Sequence, residues 1–245
     1  MNGKRPERGI TGTFYGVGAG PGDPELMTLK AVRVLNSCPV IAAPRSAGDS
    51  SGDGQALAIV RKAVNLEHKE ILELNLPMTR DAGLLSKSRI DAAGEITRRL
   101  KQGTDVAFVT LGDPMLYSTF GYLAALVKDG LEGVAVTSIP GITSFSAVAS
   151  RLSIPLAEGG EKVAIAPVAY DTGEVSGLIS SFDTVVLMKV NKAMDALVDM
   201  LSDMGLIHKA VFVKRIGWPD EEVVTDIMSL KGKRHGYFSM LIIKK

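Results

Sequence analysis

Short apolar runs alternate along this chain with longer stretches whose apolar positions recur at helical spacing. Runs at 39–43, 70–76, 105–111 and 134–139 read as strands, being brief and bounded by Gly, Pro or polar residues. Stretches 25–36, 55–64, 88–102 and 115–128 read as helices, and Ala56, Ile59, Val60 and Ala63 lie on one face of the second. The third ends at Gly103, a natural helix C-cap. Helical pattern returns at 145–152. Residues 1–11 read as a flexible start, 44–54 as a loop rich in Gly, Ser and Asp, and 77–83 as irregular. At 153–162 the texture changes to Ser-Ile-Pro-Leu-Ala-Glu-Gly-Gly-Glu-Lys, a linker pattern.

The alternation then resumes, with strands predicted at 163–167, 184–189, 210–214, 222–228 and 237–243 and helices at 174–181 and 191–204. Met194, Leu197, Val198, Leu201 and Met204 form one stripe of the last helix, where methionine serves as core filler. The final two strands have little between them and predict an antiparallel pair. The fold class is α/β: an N-terminal domain over 12–152 with a mainly parallel sheet, the linker, and a C-terminal domain over 163–245 with a mixed sheet.

Chemistry enters through glycine. Phe14-Tyr15 leads into Gly16, Gly18, Gly20 and Gly22, and the loop ends at Asp23-Pro24. Glycine lets a backbone take positive φ or lie against a ligand, so this stretch reads equally as a tight turn or as a ligand cradle. It lacks the third glycine of the dinucleotide fingerprint, and no Gly-Lys-Ser/Thr follows it as in a P-loop. Two further strands also run into glycine, at Gly112-Asp113 and at Gly141. Parallel strands joined by helices bring all three loops to one edge, where α/β proteins bind ligands. Gly-Asp-Pro at 22–24 and 112–114 is explained in part by helix capping. Thr143-Ser144 is another candidate cap whose hydroxyls would face the same crevice.

Composition narrows the classes. A net charge of +1 without a basic stripe argues against a nucleic-acid partner. The chain has no run approaching the roughly 20 apolar residues of a membrane helix, and no apolar stretch of signal-peptide length follows the basic start. The single cysteine, Cys38, rules out an internal disulfide and a Cys-cluster metal site, so a reducing cytoplasm is the expectation. His68, His208 and His235 stand apart beside charged residues and read as surface positions, and no metal ligand is assigned. There is no Cys/His couple and no Gly-x-Ser-x-Gly elbow. The residues alone imply an organic ligand held largely by backbone groups.

Three segments together carry a resemblance. Tyr15-Gly-Val-Gly-Ala-Gly-Pro-Gly-Asp-Pro-Glu-Leu-Met-Thr-Leu-Lys-Ala31, Leu111-Gly-Asp-Pro-Met-Leu-Tyr-Ser118 and Ile139-Pro-Gly-Ile-Thr-Ser144 resemble, in order and spacing, the signature motifs of the tetrapyrrole methylases. This class III family of S-adenosylmethionine-dependent methyltransferases implies two α/β domains with the active site in the cleft between them, usually in a homodimer. Val40-Ile-Ala-Ala-Pro44 and Tyr117-Ser118-Thr119-Phe120 make the chain most similar to the precorrin-2 or cobalt-factor II C20-methyltransferases of cobalamin synthesis. Uroporphyrinogen methyltransferases place a Tyr-Asp pair where this chain has Ala43-Pro44, so their proposed base does not transfer.

Carried over residue by residue, the resemblance puts Pro21, Gly112, Asp113, Leu116, Thr143 and Ser144 against S-adenosylmethionine. Met188 and Gly217 would meet it from the second half. The implied reaction is in-line methyl transfer to a macrocycle carbon, leaving S-adenosylhomocysteine, with position and a dry site as the protein's contribution. Tyr117 is the candidate for a base or for orienting the ring. The tetrapyrrole's carboxylates invite cations, for which Arg45, Arg80, Lys87, Arg89 and Arg215 are available, Arg45 and Arg215 first because they follow strand ends. Another methyl acceptor within the family, or a non-enzymatic metabolite sensor on the same loops, stays open.

Overall fold

The computed structural model describes residues 11–45, 54–77, 79, 81–168 and 172–245. Most of the expected flexible start, the middle of the 44–54 loop and Arg80 lie outside the described residues. Contacts between Cα atoms divide the chain into two compact units, Met1–Thr143 and Ser144–Lys245.

The first unit carries strands β1 (Phe14–Gly18), β2 (Val40–Arg45), β3 (Glu70–Asn75), β4 (Val106–Thr110) and β5 (Val136–Ile139). They form one sheet in the order β3-β2-β4-β1-β5, and every pairing is parallel. Helices α1 (Leu29–Ser37), α2 (Gln55–Ala63), α3 (Ala82–Leu100) and α4 (Phe120–Gly130) make the crossovers. Phe14, Val40, Ala42, Val106 and Phe108 pack against Ala92, Ala93, Ile96 and Leu100 of α3 and Phe120, Leu123 and Val127 of α4. Ile41, Ala107 and Val109 are equally buried and, by strand alternation, belong to the opposite face. Burial on both faces is why these strands read as unbroken apolar runs.

In the first unit, three helix starts differ from expectation for local reasons. The stretch from residue 25 opens as a 3-10 turn, and α1 starts only after Thr28, whose hydroxyl accepts from the Ala31 N–H at 3.1 Å. Helix α3 begins earlier than expected because Asp81 caps it, accepting from the Leu84 N–H at 2.9 Å. Helix α4 begins later, at Phe120, since residues 115–118 form a turn with Tyr117 at φ +50°.

The second unit begins with α5 (Ser144–Leu152), followed by β6 (Val163–Pro167), α6 (Val175–Ser181), β7 (Thr184–Met188), α7 (Met194–Asp203), β8 (Ala210–Lys214), β9 (Glu222–Val224) and β10 (Ser239–Lys244). Its sheet runs β6-β7-β10-β8-β9 and is mixed. The last two strands do not form the expected antiparallel pair. β10 inserts between β7 and β8, and β9 pairs with β8. Burial explains the choice: Ser239 to Ile243 are all buried, as a central strand requires, whereas Glu222 and Val223 are exposed and suit an edge. The strand expected to continue to 228 stops at Val224 and gives way to a 3-10 turn, Ile227–Leu230.

One face of this sheet packs on α6 and α7 through Val185, Leu187, Phe212, Leu241 and Ile243. The other face takes Ala147 and Val148 of α5, together with Ile154 and Leu156 from the 153–162 stretch. The division therefore falls before α5 rather than after it. The 153–162 stretch is also pinned, with Lys244 Nζ bonded to the Pro155 carbonyl at 2.8 Å and to Glu161 at 3.0 Å. No helix among the described residues is long and apolar enough to cross a membrane.

Candidate active site

β4, β1 and β5 are neighbours, so the loops leaving their C-terminal ends sit side by side. Backbone bonds join the first two loops: the Ala19 N–H donates to the Thr110 carbonyl at 2.8 Å, and the Gly112 N–H to the Gly20 carbonyl at 2.9 Å. Asp113 joins the second to the third. Its Oδ1 accepts from the Met115 N–H at 2.8 Å and its Oδ2 from the Gly141 N–H at 3.0 Å. Asp23 performs only the local half of this job, accepting from the Glu25 N–H at 2.9 Å. Both Gly-Asp-Pro segments thus use Asp to satisfy a turn's orphan donor, and one also bolts two loops together.

The glycines divide into two kinds. A Cβ at Gly18 would lie 2.5 Å from the Gly112 oxygen, and one at Gly141 only 2.1 Å from the same atom. These two are glycine because backbones touch. Gly112 is different: φ is +64°, and a Cβ there would meet nothing nearer than the Ile142 oxygen and Thr143 Cα, both at 3.9 Å. Its outer side is open and bounded by the third loop, the surface a ligand needs to lie against backbone. Buried Pro21 follows Gly20 directly, while Leu116 and Thr143 are half-buried at the rim of the same three loops. Pro21, Gly112, Asp113, Leu116 and Thr143 therefore share one edge, and this open backbone cradle suits an elongated organic cofactor such as S-adenosylmethionine. Ser144 is the first residue of α5.

In the second unit, Met188 ends β7 and Gly217 follows β8; β10 runs antiparallel to both strands, so these ends lie at one edge. The Lys189 N–H donates to the Ser239 carbonyl and the Arg215 N–H to that of Phe238, each at 2.9 Å. Lys189, Arg215 and Gly217 all have positive φ, at +60°, +50° and +78°. The Gly217 N–H donates to Glu221 Oε2 at 2.9 Å, and Glu221 also pairs with Arg151 of α5. Glu221 could not be singled out from sequence, because no motif marks it.

The first-choice cations sit at strand ends, each beside a carboxylate. Arg45 closes β2 and pairs with Glu73 at 2.7 Å. Arg215 pairs with Asp220 at 2.6 Å and lies 4.6 Å from the Trp218 ring centre. Its hydrogen bond holds the Asp220 carboxyl below the ordinary range. Lys87 and Arg89 lie on α3, the latter 3.7 Å over the Tyr122 ring. Burial, with the nearby charge of Asp105, pushes the Cys38 thiol up to about 12, which leaves it inert as a nucleophile. His68 and His208 are exposed; His235 is half-buried, 5.1 Å from the Phe212 ring. Among the described residues, no group of three His, Cys, Asp or Glu is arranged to hold a metal ion.

Comparison with known proteins matches residues 13–230 to the profile of the Tetrapyrrole (Corrin/Porphyrin) Methylases. The chain is 31% identical over 239 residues to cobalt-precorrin-2 C(20)-methyltransferase of Salmonella typhimurium, covering 96% of this chain and 98% of that one. It is 36% identical over 237 residues to a probable cobalt-precorrin-2 C(20)-methyltransferase of Methanocaldococcus jannaschii, covering 94% and 95%. Its fold is similar to that of uroporphyrin-III C-methyltransferase from Thermus thermophilus, solved in complex with S-adenosyl homocysteine, with a TM-score of 0.67 at 23% identity and coverage of 96% and 98%. The chain belongs to the tetrapyrrole methylase family.

Proposed function

We propose that this protein is an S-adenosylmethionine-dependent C-methyltransferase that methylates C20 of precorrin-2 or of its cobalt-bound counterpart in cobalamin biosynthesis. The observation that carries this reading is the open side of Gly112, set among three loops fused at the ends of adjacent parallel strands. The relatives' activity, over nearly the whole chain, names the acceptor.

Pro21, Gly112, Asp113, Leu116, Thr143 and Ser144 would hold the cofactor. When bound, S-adenosylmethionine supplies a methyl group already activated on a sulfonium, so the protein needs no reactive dyad. Backbone donors and acceptors on stiff loops orient the ligands and cost little reorganisation. Arg45 and Arg215 would meet substrate carboxylates, exchanging part of their pairing with Glu73 and Asp220 for the incoming anions. Tyr117, in the turn between β4 and α4, would face the substrate. We further propose a homodimer working in a reducing cytoplasm, where the buried Cys38 thiol stays unmodified; light scattering of the purified protein reads the oligomer directly.

Turnover with metal-free and cobalt-bound precorrin-2, side by side, tests the reaction through the macrocycle's visible absorption and product mass. Calorimetry with S-adenosylmethionine tests the cradle. Wild type should bind, and Gly112→Val should weaken binding by about a hundredfold or more, since one bulky group in the cradle displaces ligand atoms. Normal binding by that variant would sink the placement of the second loop. No binding by wild type would sink the methyltransferase reading.

A further inference from the structure

We propose that Tyr117 works through the face of its ring, as an apolar platform for the planar macrocycle rather than as a proton acceptor, and that Ser118 is the positioning residue that holds it out. This rests on the methyltransferase reading above.

Tyr117 adopts φ +50° while remaining 47% exposed. A bulky residue in the left-handed region is a genuine outlier, kept only where its surroundings over-determine it. The surroundings do so from both sides. Upstream, Asp113 accepts from the Met115 N–H through its carboxylate and from the Leu116 N–H, at 3.3 Å, through its carbonyl. Downstream, Ser118 Oγ donates to Thr110 Oγ1 and accepts from the Phe120 N–H, both at 3.2 Å. Phe120 is itself buried, its ring filling the space above Gly16, where a Cβ would stand 2.5 Å from it. Ser118 therefore fastens the turn to the end of β4 and to the start of α4.

What this fixed turn presents to solvent is apolar. Met115 is 67% exposed, and Ile142 in the third loop is 38% exposed; the Asp113–Gly141 bond holds their two loops together. Exposed apolar side chains on loops that are otherwise backbone-rich indicate a large apolar ligand. Aromatic faces bind flat conjugated partners by offset stacking. A tetrapyrrole offers such a face, with its carboxylates at the periphery.

Steady-state kinetics on Tyr117→Phe, Tyr117→Ala, Ser118→Ala and Ser118→Thr test this, together with fluorescence titration of uroporphyrin as a non-reacting planar probe. Tyr117→Phe should stay within about twofold of wild type in kcat/KM. Tyr117→Ala should raise the tetrapyrrole KM and the uroporphyrin Kd by about tenfold, the scale of one aromatic stack, with cofactor affinity unchanged. Ser118→Ala should raise the same two constants by about threefold, and Ser118→Thr, which restores the hydroxyl, should recover them. A Phe variant as inactive as the Ala variant would assign the role to the hydroxyl and overturn the platform. Ser118→Ala shifting only the melting temperature would reduce Ser118 to a structural residue. Wild type that binds uroporphyrin through Tyr117 yet methylates neither tetrapyrrole would overturn the proposed function and leave the platform standing.

Discussion

The two sheets build the edges where their strands end from different materials. At the first edge the loops meet backbone to backbone: Gly18 and Gly141 abut the Gly112 oxygen, and a single carboxylate, Asp113, spans two loops. At the second edge, side chains set the geometry. Lys189 and Arg215 hold left-handed backbone without being glycine, and Asp220, Glu221 and Trp218 support the turn that runs from Arg215 to β9. A backbone-built edge tolerates almost no substitution, because a Cβ cannot rotate out of the way. An edge built from side chains can be altered piecemeal. Sequence motifs are accordingly dense in the first unit and absent in the second.

Substitutions of decreasing severity test that contrast. Gly141→Ala puts a methyl 2.1 Å from the Gly112 oxygen, so it should cost about 3 kcal/mol or more and abolish cofactor binding. Urea unfolding and calorimetry read both; near-normal values for either would show that the loops can part. Asp113→Asn turns one of two acceptors into a donor facing an N–H, with an expected loss of about 1–3 kcal/mol. Asp23→Asn keeps a competent cap and should stay within about 0.5 kcal/mol. Equal costs for the two would erase the distinction between capping a turn and bolting loops. Least disruptive is Arg215→Met at the second edge. It should leave the melting temperature nearly unchanged, raise the tetrapyrrole KM, and return the Asp220 carboxyl upward to its ordinary range, as followed by NMR titration. The sign is set by that depressed carboxyl: the pair's small stabilisation is present above the ordinary carboxylate range and fades as pH falls through the folded value. An Asp220 titration that did not move would remove Arg215 as its cause.

Much of the first unit was legible because its determinants are local. Short apolar runs ending in glycine predicted parallel strands and a shared edge, and Gly103 marked the end of a helix to within a few residues. The start of α4 was not legible, because Tyr117 breaks helical backbone against its own propensity, and the bonds that hold its turn, from Asp113 on one side and from Ser118 to Thr110 on the other, join residues that no periodic pattern connects. Nor was the affiliation of α5. Ala147 and Val148 have the pattern of any amphipathic helix, and nothing in that pattern says which sheet they cover.

By itself, then, the chain's order of residues determined the strand–helix alternation, the three glycine loops and their family, because periodicity and Cβ-free positions act over a few residues. Tertiary structure alone decided that β10 enters the middle of its sheet, that Gly18 and Gly141 serve packing while Gly112 stays open, and that Asp113 links two loops. Each of these depends on atoms far apart in sequence meeting at van der Waals or hydrogen-bond distance, and such meetings leave no periodic trace along the chain.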